Sequence, residues 1–367
     1  MLKKRTLLRT ALFLAVLALS GCAGKSPELP RILWPPPPDQ PRLEFIGTFS
    51  SEGDFPKSDS QRMLESVVGK ENVDTFKTPF GIAADGKGKA YVSDIHLHNI
   101  RIFDFTKQTV EFLTKEPIFT TPLGLAVDGS GNLYVADGGK QSVMVFSPEK
   151  VPLFSFGNSS LFENPAYLAI SRSLGRIYVS DGKGHKIVVF DLKGKHLFSF
   201  SRQGRGEGEV YGPQGLAIDS QGRVFVADLL NSRVVVFDSE GNYLYAFGER
   251  GDQVWQFENP KDLTFDSEGN LYVIDRRKAT IFTYTPEGNL LLATGSGGPS
   301  THKLGFASPT SIFIDQNDRI YVADGLNKRF SIWQYLSAPY LEKHPITPED
   351  REALQRFIEE SKEKSAP

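Results

Sequence analysis

Short apolar runs of four to six residues alternate with polar turn segments along most of this chain. In one clear stretch the runs go from Gln214 to Ile218, Val224 to Ala227, Arg233 to Phe237 and Tyr243 to Phe247, separated by turns such as Asp219-Ser-Gln-Gly222 and Asp238-Ser-Glu-Gly241. They are rich in valine, isoleucine and aromatics, the composition of half-buried strands. The four-run unit recurs six times. Its first run opens at Pro79, Pro122, Pro165, Pro213, Pro260 and Pro309, and its second closes at Asp94, Asp137, Asp181, Asp228, Asp275 and Asp324. The prolines stand 43, 43, 48, 47 and 49 residues apart. A four-stranded unit at that period cannot cover its own faces and must stack on its neighbours round a ring. The prediction is an all-β chain folded as a six-bladed β-propeller.

Ring closure is written at the two ends of the repeat region. The sixth copy has runs from Ser311 to Ile314, Ile320 to Ala323 and Arg329 to Tyr335, then meets Ala338-Pro339 without a fourth. A matching run, Arg42-Leu-Glu-Phe-Ile-Gly-Thr-Phe49, precedes the first copy and resembles Tyr243-Leu-Tyr-Ala-Phe-Gly248. Residues 42–49 are therefore expected to complete the last blade and cover its open edge. The propeller is placed at 42–338. A short amphipathic helix is expected from Ser60 to Gly69, and a C-terminal helix and tail at 339–367. Thr347, Pro348 and Asp350 supply a helix start there, and a narrow apolar face (Leu354, Phe357, Ile358) is suited to docking under the ring.

The N-terminus carries different chemistry. Lys3, Lys4, Arg5 and Arg9 precede an apolar run from Ala11 to Leu19, long enough for a secretory signal but too short to span a bilayer. Leu19-Ser-Gly-Cys22 resembles a bacterial lipobox, which implies cleavage after residue 21 and lipidation of Cys22, the single cysteine in the chain. Residues 22–41, with Pro35-Pro-Pro-Pro38, read as a stiff tether. By resemblance to sorting signals, Ala23 after the cysteine favours the outer membrane. The expected localisation is the bacterial cell envelope, held to the membrane by lipid. One cysteine excludes disulfide frameworks, c-type haem and cysteine-rich zinc modules. The formal charge is −2, and loss of the four leader cations leaves 38 basic against 44 acidic side chains. A nucleic-acid partner is disfavoured by that balance; the expected partner is a protein in the envelope.

The third runs hold Asn231-Ser-Arg233, Asn327-Lys-Arg329 and Asn99-Ile-Arg101. With Gly-Leu-Ala-Ile-Asp and Tyr/Phe-Val-Ala-Asp, these motifs resemble NHL repeats over about residues 42–336. The resemblance implies the six-bladed ring. Its known members range from binding platforms and scaffolds to a peptide-amidating lyase, and related rings include lactonases.

Features shared by all six copies belong to the fold, and departures are candidates for chemistry. The six aspartates, arranged round a channel, suggest calcium, but their regularity suits hydrogen bonds to nearby turns. Loops entering each first strand and leaving each second strand should share one face at the channel mouth. There, Asp94-Ile-His96-Leu-His98-Asn99 is read as two residues longer than its counterparts. His96 and His98, with His185, are candidate zinc ligands. Lys261, Arg276 and Arg277 form a candidate cationic patch for an anionic ligand. Tyr167 replaces a glycine near the axis and is expected to line the mouth. The longer connections from Ser201 to Tyr211, Glu249 to Gln256 and Gly295 to Phe306 enlarge one side of the rim. No motif calls for a cofactor. The expectation is a non-catalytic binding or scaffold protein for another protein or a small anionic ligand. The alternative is a metal-dependent lyase or hydrolase at the channel mouth.

Overall fold

The computed structural model describes residues 30–57, 75–295 and 298–365. The leader, Cys22 and the helix expected from Ser60 to Gly69 lie outside the described residues. The chain divides into two compact units: residues 33–345, and residues 1–32 together with 346–367.

The larger unit is the six-bladed propeller. Five blades are four-stranded antiparallel sheets, as in blade four with Pro213–Ile218, Val224–Asp228, Arg233–Phe237 and Tyr243–Phe247. The sixth sheet is built from both ends of the repeat region. Leu43–Phe49 pairs antiparallel with Arg329–Tyr335, setting Leu43 opposite Tyr335 and Phe49 opposite Phe330. The predicted closure is thus observed. One expectation is corrected here. Ile32–Trp34, read as part of the tether, adds a fifth strand outside Leu43–Phe49. Leu33 is buried, and the Arg42 amide donates to the Trp34 carbonyl at 2.7 Å. An apolar Ile-Leu-Trp triplet gains more from this sheet edge than from solvent, and the prolines that dominate its neighbourhood hid it. A short helix, Ala338–Lys343, follows the last strand, with Ser337 at its N-cap and proline in its first turn.

Apolar cores lie between adjacent blades. Phe225, Val234 and Val236 of blade four pack in one cluster with Leu271, Val273 and Phe282 of blade five. Tyr272 and Ile274 of blade five join Ile320, Val322 and Trp333 of blade six. Both faces of each twisted sheet are covered this way, which a lone blade cannot achieve. Where first strands converge on the axis, the backbones come very close. A Cβ on Gly81 would sit 2.2 Å from the Leu123 carbonyl oxygen, so that position requires glycine.

The six strand-ending aspartates are buried and act as staples. Asp137 accepts from the amides of Thr120 and Thr121 at 2.8 Å, just before its blade's opening proline. It also accepts from Gly139 and Lys140 at 3.1 Å, in the turn that follows it. Asp94 repeats the set with Lys77, Thr78, His96 and Leu97. Asp275 does so with Glu258, Asn259, Arg277 and Lys278. The same turn ends identically in every blade, in a left-handed residue four positions after the aspartate: His98, Gln141, His185, Ser232, Ala279 and Lys328, with φ from 50° to 56°. The blade-one turn therefore has no extra residues. Its apparent length came from matching Asn99-Ile-Arg101 to Asn231-Ser-Arg233, whereas Asn99 pairs with Asp94 as Arg233 pairs with Asp228.

The second unit contains the helix Pro348–Ser365. It starts where predicted: the Thr347 amide donates to Asp350 Oδ2 at 2.9 Å, and the Asp350 amide donates to Thr347 Oγ1 at 3.2 Å. Arg31 Nη1 meets Asp350 Oδ2 at 3.2 Å in the same unit. Among the described residues no helix is long and apolar enough to cross a membrane.

The staple geometry makes a stability prediction. Asp137→Ala removes the shared acceptor of four backbone amides and leaves a cavity where a buried carboxyl stood, and should cost about 3 kcal/mol. Asp128→Ala, in a solvent-facing turn, should cost about 1 kcal/mol. Urea unfolding of the two variants measures both. Equal losses would show that the strand-ending aspartates are not special.

Candidate functional site

Every blade places the second and third residues of its first strand next to the axis. The second residues are Phe80, Leu123, Ala166, Gln214, Lys261 and Thr310; the third are Gly81, Gly124, Tyr167, Gly215, Asp262 and Ser311. Blades three to six depart from the apolar-plus-glycine pattern, and their side chains converge. Tyr167 is 3% exposed and reaches across the ring, its hydroxyl donating to the Thr310 carbonyl at 2.6 Å. Its backbone amide donates to Ser180 Oγ at 3.0 Å. Tyr167 therefore ties blade three to blade six through the axis and does more than line the mouth. Its ring packs against Phe80 with centroids 5.5 Å apart.

Lys261 is 7% exposed and enters this aromatic corner. Its Nζ lies 5.2 Å from the Phe80 ring centroid and 5.7 Å from that of Tyr167. It donates to Gln214 Oε1 at 2.6 Å. The Gln214 amide is oriented for this, because its Nε2 donates to the carbonyls of Pro213 at 3.1 Å and Gly212 at 3.5 Å. Ring faces stabilise a cation but do not neutralise it. Burial, followed by the nearby Arg276 guanidinium, pushes the Lys261 pKa down to about 8.

Asp262 is the next residue, and the strand pleat turns it elsewhere. Its Oδ2 accepts from Ser311 Oγ at 2.7 Å and from the Ile312 amide at 3.0 Å; its Oδ1 accepts from the Leu263 amide at 2.9 Å. Burial raises its pKa to about 7, outweighing these bonds and the Lys261 charge. Gly215 makes room for it, since a Cβ there would stand 2.1 Å from Asp262 Oδ1. Tyr167, Asp262 and Ser311 line a channel segment of about 210 Å³ whose remaining wall includes Ile82, Leu125, Leu168, Leu216, Leu263 and Ile312, the fourth residue of each first strand. The axis is thus an apolar tube with a polar cluster inside it.

Of the expected cationic patch, the structure brings Lys261 and Arg276 near one another, beside Tyr167. Arg276 is exposed in the turn after the second strand, and its Nε donates to Ser308 Oγ at 2.8 Å. Arg277 stands apart, largely exposed and paired with Glu258 at 3.0 Å. Lys278 is spent on the rim connection, donating to the carbonyls of Gln253 and Gln256 at 2.7 Å. Asn231 and Arg233, and likewise Asn327 and Arg329, hold the other long connections through backbone carbonyls.

The histidines behave differently. His98 Nδ1 lies 2.7 Å from the Thr120 carbonyl, and His185 Nδ1 accepts from the Gly212 amide at 3.1 Å. Both occupy the left-handed turn slot, and each ties its blade to the loop opening the next, as Gln141 does through Phe162 and Glu163. His96 is exposed. Among the described residues no three His, Cys, Asp or Glu side chains are grouped to hold a metal ion, so His96, His98 and His185 are not gathered. Gln214, Asp262 and Ser311 were not singled out as site residues from sequence. Their signal was available: each is polar in an axial slot that is apolar or glycine in blades one and two.

A family profile described as a 6-bladed beta-propeller, DUF5128, matches residues 214–296. No curated protein matches the chain. Among solved structures, it is similar to a protein of unknown function from Bacteroides thetaiotaomicron, at 16% identity and TM-score 0.61, over 80% of this chain and 75% of that one. An auxiliary nutrient binding protein from the same organism aligns at 14% identity and TM-score 0.56, covering 71% and 70% of the two chains. Virginiamycin B lyase from Staphylococcus aureus aligns at 12% identity and TM-score 0.55, covering 71% of this chain and 95% of that one. At such identities the likeness establishes the six-bladed propeller fold.

The axial pair gives a pH signature. The folded state holds a proton on Asp262 up to about pH 7, whereas an unfolded aspartate loses it near 4, so this group's contribution falls as pH rises between them. Folded Lys261 releases its proton at about 8 and an unfolded lysine near 10.5, so its contribution recovers with pH above 8. The pair should therefore produce a stability minimum near pH 7–8. Chemical denaturation from pH 5 to 10 should show that dip in the wild type and a flatter profile in Lys261→Met/Asp262→Asn.

Proposed function

We propose that this protein is a lipid-anchored envelope propeller that binds a small anionic ligand at the mouth of its axial channel, without catalysing its conversion. One observation carries the reading: Lys261 is buried beside two aromatic rings with a neutral amide as its polar partner and a second cation, Arg276, close by. A buried ammonium that Asp262 compensates only in part is costly, and a carboxylate between Lys261 and Arg276 reduces that cost by supplying further negative charge. The fold suits such a role, because the polar groups are held by strands rather than by loops. Arg277, paired with Glu258, sits at the rim and contributes at longer range. The anchor rests on the lipobox ending at Cys22, and the proline-rich stretch after it supports a domain held off the membrane. An envelope protein partner remains compatible with the exposed rim residues Val254, Trp255 and Leu326.

Binding is tested by calorimetry with lactate, oxamate, succinate and inorganic phosphate. At least one carboxylate should bind, with affinity falling tenfold or more in Lys261→Met and in Arg276→Ala, and about twofold or less in Arg277→Ala (order-of-magnitude expectations for close and screened charges). Affinity should weaken as pH rises through about 8, where Lys261 loses its charge. Absence of binding by all four probes, or affinity indifferent to both Lys261 and Arg276, would overturn the reading.

The anchor is tested separately. In a bacterial host the full chain should partition into detergent and incorporate labelled fatty acid, and Cys22→Ser should do neither. Equal partitioning of the two proteins would remove the lipid from the proposal.

A further inference from the structure

We propose that Lys261 is a carbonyl-capturing amine, its Nζ condensing with the keto or aldehyde group of a small carbonyl-bearing acid to form a protonated imine while Arg276 holds the acid's carboxylate. The inference deepens the anion-binding reading and rests on it.

The geometry supplies what such an amine needs. Among the described residues no carboxylate forms an ion pair with Lys261, so the ammonium is not locked by a counter-ion; Asp262 directs its oxygens at Ser311, Ile312 and Leu263. Gln214 Oε1 accepts one N–H at 2.6 Å, which fixes the end of the side chain. Phe80 and Tyr167 flank Nζ and, while their faces favour the ammonium, the burial they help to create strips it of water and, on balance, favours the neutral amine. With a pKa of about 8, roughly a tenth of Lys261 is neutral at pH 7, a far larger share than for a solvated lysine. Arg276 adds a fixed charge, which both disfavours the ammonium and attracts the acid.

The step balances without a further reactant. The ammonium gives up one proton, the free amine attacks the carbonyl carbon, and the carbonyl π pair moves to oxygen, which is protonated to a carbinolamine. A second proton passes from nitrogen to the hydroxyl, the C–O bond breaks, water leaves, and the nitrogen pair closes the C=N bond. The product iminium carries the single positive charge that the ammonium had, so one carbonyl compound is consumed and one water is released. The dry aromatic corner slows the reverse hydrolysis. No oxidation state changes, and the capture is reversible binding rather than turnover.

Reductive trapping tests this on the full chain. Wild-type protein is incubated with pyruvate and cyanoborohydride at pH 7, digested and mapped by mass spectrometry. The reduced adduct should accumulate on Lys261 at least tenfold faster than on the exposed Lys107, and oxamate, which has the carboxylate but an unreactive carbonyl, should suppress it. If Lys261 stays unmodified while Lys107 reacts, carbonyl capture is wrong. Oxamate binding by calorimetry with no adduct on Lys261 leaves the anion site standing and removes only the capture; no binding and no adduct removes both. The wild type alone decides, and Lys261→Arg serves as the blank for the peptide assignment.

Discussion

The structure depends on a buried carboxylate that bonds two segments of backbone at once. Each strand-ending aspartate joins the loop that opens its blade to the turn that follows its second strand, as Asp137 does through Thr120, Thr121, Gly139 and Lys140. Neither segment belongs to a sheet ladder there, so without the aspartate its amides would lose their shared acceptor and the two segments their tie. Asp228 shows how strong the opposing burial is. Its pKa is raised by desolvation even though Asn231, Tyr211 and Arg233 all bond to it. Because the staple repeats in every blade, the loops on one face of the ring are fixed before any function is imposed on them.

That rigidity frees the axis. With turns pinned by Asp, and long connections pinned by Asn231, Arg233, Lys278, Asn327 and Arg329, the axial slots need not follow the repeat. Blades one and two fill them with Phe80, Gly81, Leu123 and Gly124, and blades three to six replace these with Tyr167, Gln214, Lys261, Asp262, Thr310 and Ser311. Glycines stay where the next backbone approaches, and at Gly215 the absent Cβ is what lets Asp262 lie in its place. The polar cluster is a coordinated departure: Tyr167 crosses to Thr310, Ser311 bonds Asp262, and Gln214 bonds Lys261.

The ring, its blade number and its closure were legible because each depends on local period and strand composition, which survive in a single sequence. Two local readings failed for a common reason. The blade-one turn and the Asn99 register were judged by residue identity, but the turn is defined by a left-handed backbone four positions after the aspartate, and His98, Gln141, Ser232 and Lys328 all adopt it. The strand Ile32–Trp34 was hidden because its pairing partner is set by the closed ring, and the surrounding prolines suggested a free tether. For the site, sequence reading reached Lys261, Arg276 and Tyr167 by subtracting the repeat, but ranked the histidines beside them. Side-chain partners 47 residues apart, as for Gln214 and Lys261, or 143 apart, as for Tyr167 and Thr310, follow only from where the ring places its strands. His98 and His185 looked exceptional by residue type and prove to do what Gln141 does with an amide.

The contrast between the two kinds of buried charge bears most directly on function. The stapling carboxylates are satisfied several times over by backbone and side-chain donors, so a further ligand offers them little. Lys261 has one amide oxygen and two ring faces, neither of which carries a negative charge. A protein core tolerates such a group at the expense of stability, and here the staples in six blades supply the stability to spare. Asp262 eases the cost only partly, because one oxygen is committed to blade six and the other to the Leu263 amide. Structural demand explains the aspartates, the Asn–Arg pairs, His98 and His185. It leaves Lys261 unexplained, since a leucine, as at Leu123 of blade two, fills the equivalent slot of the same fold without burying a charge.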